Sequence, residues 1–208
     1  MNNIDRIYNE SKDIKDYSKN YLLYMGELLN SLDAQGLEDF LTEIESVRKT
    51  GNTIFIAGNG GSASTASHIA MDLSQVFYKI PSFNPPFKAI SLADNTSTVT
   101  AIGNDFGYEE VFTKQLKNLY KDGDILIVIS VSGNSANVLM AVEWVKSVGG
   151  KTVGFLGFDG GKLKDICDLS ILVKTPKGEY GPVEDVHLIL NHLFFNWFYN
   201  KYRDGRAE

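Results

Sequence analysis

Residue types that staple, ligate or kink a chain are scarce in this sequence, with one cysteine, three histidines and five prolines among 208 residues. The lone Cys167 excludes an internal disulfide, points to a reducing compartment, and is expected to serve as a small core residue. No apolar run approaches the roughly 18 residues of a membrane span. Met1 to Asp16 is charged throughout and has no apolar h-region, so no secretory leader is expected and a cytoplasmic protein is. Positive charge is also short: 20 Lys and Arg stand against 26 Asp and Glu, a net −6 that argues against a nucleic-acid surface. A small anionic ligand stays compatible, because hydroxyls and helix dipoles override the global sign locally.

What is present is patterned. The chain is 43% hydrophobic, enough for a sizeable core, and its length fits one α/β domain. Ile4, Ile7, Tyr8, Ile14, Tyr17, Tyr21, Leu22, Met25, Leu28 and Leu29 recur at helical spacing, predicting one long or two joined helices from Asn3 to about Leu32. These precede the first strand and either pack on their own domain or on a partner subunit. A further helix ends near Gly51. Buried strands are then expected at Thr53–Ala57, Phe87–Leu92, Ile125–Ile129, Thr152–Leu156 and Leu169–Val173. Helices are expected at Ala63–Tyr78, Thr96–Ile102, Glu109–Leu119, Ala136–Val148 and from Pro182 to about Tyr202, with a loop at Pro81–Pro86 and a turn at Gly160-Gly161. Five strands alternating with helices predict a parallel sheet with right-handed crossovers, whose ligands sit beyond the carboxyl ends of the strands.

Two strand–loop–helix units share one layout. After Ile129 comes Ser130-Val131-Ser132-Gly133-Asn134-Ser135; after Ala57 comes Gly58-Asn59-Gly60-Gly61-Ser62. Hydroxyls and free N–H groups at a helix N-terminus suit a phosphate. No lysine lies in the serine loop, so the triphosphate-gripping P-loop pattern is absent and a single phosphate monoester is the better fit. Asn104 and Asp105, read as a segment between Gly103 and Gly107, either contact a sugar hydroxyl or cap a turn.

His68 and Asp72 are four apart on one helix and share a face, as two metal ligands, as a base with its orienting partner, or as a solvated pair. The last helix carries Glu184, Asp185, His187 and His192 among Leu188, Ile189, Leu190, Leu193, Phe194 and Phe195. Asp185 is seven residues from His192 and nearly eclipsed with it, whereas Glu184 lies about 80° round the helix, so geometry favours Asp185 as the partner of His192. The two acids also suit the first turn of any helix. His187 is expected at the surface or at a subunit contact, and the aromatic run from Phe194 to Tyr202 reads as packing.

Together these motifs resemble the sugar isomerase (SIS) family and its phosphoheptose isomerase branch. The stretches that carry the resemblance are Gly58–Ser62, Gly103–Gly107, Ser130–Asn137, Asp159–Lys162 and Val186-His187 with His192. The resemblance implies a flavodoxin-like doubly wound sheet with an N-terminal helical extension, the whole chain forming one SIS domain (helices to residue 50, core 51–180, last helix 182–203). It implies conversion of sedoheptulose 7-phosphate to D-glycero-D-manno-heptose 7-phosphate, for lipopolysaccharide or capsule, by homotetramers that share the active site between subunits. By the same resemblance Ser62, Ser130, Ser132 and Ser135 bind phosphate, while Asn59, Gly60, Asn104 and Asp105 line the sugar site. Zinc falls to His68, Asp72, Glu184 and His192, with Asp72 and His192 as the catalytic pair. Asp72 stands where the branch carries Glu, Glu184 where it carries Gln, Val131 where it carries a hydroxyl residue and Gly181 where it tends to carry Asp. The first two keep an oxygen donor, and the added carboxylate is expected to strengthen cation binding. Rival readings are an isomerase of another phosphosugar and a non-catalytic SIS tetramer that binds the replication initiator DnaA.

Overall fold

Five apolar runs form the strands β1 (Thr53–Gly58), β2 (Lys88–Ser91), β3 (Ile125–Ser130), β4 (Lys151–Gly157) and β5 (Leu169–Val173) in a computed structural model that describes residues 1–75, 80 and 83–204. They make one sheet in the order β2-β1-β3-β4-β5, with every neighbouring pair parallel. This is the flavodoxin-like doubly wound order, whose direction reverses between β1 and β3. The loops that follow those two strands are the two Gly/Ser loops, so chain topology alone puts them side by side.

Side chains alternate across the strands and feed two cores. Ile54, Ile56, Ile125, Ile127, Ile129, Val153 and Phe155 face α3 (Ala34–Thr50), α4 (Gly61–Gln75) and α9 (Tyr180–Arg203). Phe55, Ala57, Leu126, Val128 and Leu156 face α6 (Thr113–Leu119), α7 (Ala136–Ser147) and α8 (Gly161–Ile166). Among the described residues no helix is long and apolar enough to cross a membrane.

The N-terminal stretch is two helices, α1 (Asn3–Glu10) and α2 (Ile14–Asn30), because Asp13 caps the second by accepting from Asp16 N–H. Ile7, Tyr24, Met25 and Leu28 pack on this chain's own core, while Tyr8, Ile14, Leu22 and Leu23 stay exposed. Glu179, 1% exposed, accepts from Asn3 N–H at 2.5 Å and from the Tyr24 hydroxyl, which ties this hairpin to the entrance of α9.

Three expectations are corrected. α5 (Thr96–Phe106) runs straight through Gly103, so Asn104 and Asp105 belong to its last turn rather than to a loop, and a single 3-10 turn at Tyr108–Glu110 follows. The Gly160-Gly161 turn opens the short helix α8, where a glycine pair gave no helical signal. His187 lies in the core rather than at the surface: Val183, Val186, His187, Leu190 and Phe194 form one buried stripe of α9. The expected extension of α4 to Tyr78 and part of the Pro81–Pro86 loop lie outside the described residues.

Candidate active site

The serine loop is built by the end of β3 and the start of α7. Ser130 is buried, with its hydroxyl 3.4 Å from that of Ser135. Ser135 occupies the N-cap of α7 without spending its side chain on a capping bond, which leaves the hydroxyl for a ligand. The loop is braced from behind: Leu163 N–H donates to Gly133 C=O at 3.0 Å, and Asn134 bridges Ser132 C=O (2.7 Å) and Lys162 N–H (3.3 Å). Gly133, at φ +62°, approaches so closely that an added Cβ would lie 1.8 Å from Gly160 O. The Asp159–Lys162 stretch thus acts as the buttress of the loop. Val131 is 5% exposed and sits in the sheet core, its side chain beside Gly157, so this residue removes no hydroxyl from the loop's open face.

Asn59 and Gly60 lie after β1, and Ser62 is buried in the first turn of α4. Asn59 pairs reciprocally with Asn137 of α7, Nδ2 to Oδ1 at 2.9 Å in both directions, and accepts from the Tyr108 hydroxyl at 2.9 Å. Asn104 and Asp105 bond each other at 2.8 Å and are exposed. Neither Asn137 nor Tyr108 was singled out by sequence; a polar residue in the first turn of a helix carries no mark that distinguishes a brace from a cap.

The second constellation lies between α4 and α9. His68 Nε2 is 3.4 Å from Asp72 Oδ2 and 3.3 Å from His192 Nε2, and the ligand atoms of these three residues all lie within 4.8 Å of one another. Asp72 is buried and accepts from Asn191 Nδ2 at 2.7 Å. Asn191 is a further residue that sequence did not reveal. Two imidazole nitrogens and a carboxylate oxygen turned toward one point form a donor set that suits a divalent metal.

Glu184 is not brought to this cluster. Its carboxylate rests against Gly61 at the start of α4, where an added Cβ would meet Oε2 at 2.3 Å. Burial, then the neighbouring Asp185 charge, raises its pKa above the usual carboxylate value. Asp185 is not the partner of His192 either. Seven residues span about 10 Å of helix, beyond the reach of an aspartate, and Asp185 instead accepts from the Tyr21 hydroxyl at 3.1 Å. A groove of about 680 Å³ flanks α4 and β2, lined by Ser67, Met71, Ile90, Asp94 and Gln115; none of the candidate residues lines it.

His187 Nε2 lies 3.3 Å from Leu156 O and, among the described residues, its Nδ1 has no partner. Burial lowers its pKa to about 4, so it is a neutral core imidazole. Cys167 packs at the edge of the second core, its thiol pushed up to about 12 by burial first and by Asp168 second.

The model of the SIS domain family matches residues 19–157. A phosphoheptose isomerase of a Nitratiruptor species is 46% identical over 145 residues, covering 70% of this chain and 75% of the relative. One from Helicobacter pylori is 41% identical over 180 residues, covering 84% and 90%. The structure of phosphoheptose isomerase from Neisseria gonorrhoeae superposes with a TM-score of 0.79 at 26% identity, covering 90% of this chain and all of that one. The chain therefore belongs to the SIS domain family and, within it, to the phosphoheptose isomerase branch.

Proposed function

We propose that this protein is an aldose–ketose isomerase that interconverts sedoheptulose 7-phosphate and D-glycero-D-manno-heptose 7-phosphate through a cis-enediol. The observation that carries the reading is the meeting of His68, Asp72 and His192 in a fold whose strand ends present Ser62, Ser130, Ser132 and Ser135. Relatives named phosphoheptose isomerase support the sugar.

In this reading the serine hydroxyls and the N-terminus of α7 hold the phosphate, and Asn59, Gly60, Asn104 and Asp105 line the sugar. The Asp72 carboxylate takes a proton from C1 of the ketose and returns it to C2, while His192 carries the proton exchanged between the two oxygens. Asn191 fixes the acceptor carboxylate through its 2.7 Å bond. A divalent metal, zinc in this account, would be held by His68, Asp72 and His192 and would supply Lewis acidity toward a sugar oxygen.

The same reading makes the protein a cytoplasmic homotetramer. Ser62 and Asp72 are ten residues apart on α4, about 15 Å along the axis, so one chain keeps its phosphate loops and its proton-transfer groups apart. Glu184 likewise lies away from the three donors. A second copy would bring phosphate loops, and Glu184 as a further ligand, to the exposed His192. The exposed Ile189, Leu193 and Trp197 beside His192 on α9 supply an apolar face for that contact.

The test is to incubate metal-analysed protein with sedoheptulose 7-phosphate and follow the aldose. Turnover with metal bound is expected. Folded, metal-loaded protein that ignores this ketose but isomerises another phosphosugar would overturn the sugar assignment, and metal-free protein without turnover on any phosphosugar would overturn the enzyme.

A further inference from the structure

Three segments meet at Asn59: its own loop after β1, the first turn of α7 through Asn137, and the 3-10 turn after α5 through Tyr108. Asn137 is 3% exposed, so its amide has to find partners inside the protein. One of those partners fixes which way round it stands. The backbone N–H of Val138 can only donate, and it is shared between Ser135 C=O at 3.1 Å and Asn137 Oδ1 at 3.0 Å. Oxygen therefore faces Val138, and Nδ2 is the Asn137 atom that donates to Asn59. It follows that Asn59 turns Oδ1 to Asn137 Nδ2 and Nδ2 to Asn137 Oδ1, each at 2.9 Å.

Counting the remaining capacity of Asn59 gives a defined result. Oδ1 has two lone pairs, and both are used, one by Asn137 Nδ2 and one by the Tyr108 hydroxyl at 2.9 Å. Nδ2 has two protons, of which one goes to Asn137. Among the described residues a single N–H remains. The geometry points to Asn59 as an obligate hydrogen-bond donor, its polarity set by Asn137 and Tyr108, so that it recognises a lone pair on the sugar and rejects a hydroxyl that must itself donate there. Asn137 is thereby a positioning residue that acts through Asn59, and Tyr108, 57% exposed, completes the lock from the open side. The identity of the sugar rests on the function proposed above; the polarity of Asn59 does not.

The experiment has a spectroscopic arm and a kinetic arm, both on the full chain. In side-chain ¹H–¹⁵N spectra of wild type, one Asn59 Nδ2 proton is slow to exchange with solvent and the other fast, and the slow one becomes fast in Asn137→Ala. Two fast protons in wild type, or a spectrum unmoved by Asn137→Ala, overturn the inference whether or not the protein is an isomerase. In turnover of sedoheptulose 7-phosphate, Asn137→Ala and Asn59→Ala each raise KM about tenfold, the scale of one neutral hydrogen bond, with kcat changed far less. The double variant is no worse than Asn59→Ala alone, because Asn137 acts only through Asn59. Inorganic phosphate binds wild type and Asn137→Ala equally. Additive losses, or weaker phosphate binding in Asn137→Ala, would make Asn137 a support of the serine loop and overturn its role as the lock. Absence of turnover in wild type refutes the proposed function and leaves the spectroscopic result to decide the polarity.

Discussion

Replacing His187 by leucine exchanges a buried imidazole for an apolar side chain of similar size, and its effect on stability is expected to depend on pH. In the folded protein burial lowers the pKa of His187 from 6.5 to about 4. The ring is fully buried, lies tilted against Phe155 and makes one long bond to Leu156 O. The unfolded chain binds a proton as pH falls through 6.5, while the folded chain resists until about 4. Wild type therefore loses stability across that window and levels off below it. At about 1.4 kcal/mol per pKa unit, the loss is about 3 kcal/mol. At pH 7 the two proteins should be close in stability, because leucine sacrifices one weak bond and removes the unpartnered Nδ1. Urea melts at pH 7 and pH 4, run with a chelator present, should find the leucine variant more stable than wild type by about 3 kcal/mol at the lower pH. If the two lose stability in parallel between pH 7 and pH 4, His187 is not a neutral core imidazole and the reasoning fails.

Further outcomes follow from the same geometry. Ser130→Ala and Ser135→Ala should each raise KM for the phosphosugar by about tenfold or more, the scale of a hydrogen bond to a charged group, while retaining the thermal melting profile; unchanged KM in steady-state kinetics would remove these hydroxyls from the phosphate site. Asn191→Leu should lower kcat about tenfold through misplacement of Asp72, with metal content as a second readout, since it withdraws the 2.7 Å donor from that carboxylate. Arg48 is 3% exposed, donates to Pro85 O at 2.6 Å and to the Tyr202 hydroxyl at 2.5 Å, and lies over Phe83 and Tyr202. Arg48→Ala strips the end of α9 of this clamp and should cost about 3 kcal/mol in denaturant melts.

The sheet was legible because all-parallel strands are buried on both faces and read as continuous apolar runs, as Ile125–Ile129 does. The placement of the two Gly/Ser loops followed from that reading. α8 was not legible, since a helix of six residues opening on two glycines has neither period nor cap. The burial of His187 was written in the sequence: it completes the stripe of Val183, Val186, Leu190 and Phe194 at helical spacing, and expecting it at the surface gave residue type priority over period. The contact between Asp72 and Asn191 could not be read, because it joins positions 119 apart through the packing of α4 on α9. Angle alone misdirected the reading of Asp185, since eclipsed residues two turns apart share a direction but not a place.

Proton transfer by Asp72 in an enediol mechanism is the central claim, and solvent isotope uptake tests it most directly. Sedoheptulose 7-phosphate incubated in D₂O with the metal-loaded protein should yield aldose carrying deuterium at C2, and Asp72→Asn, with metal content measured alongside, should slow that uptake by at least about a hundredfold. Deuterium entering the product as fast with Asp72→Asn as with wild type would contradict the account.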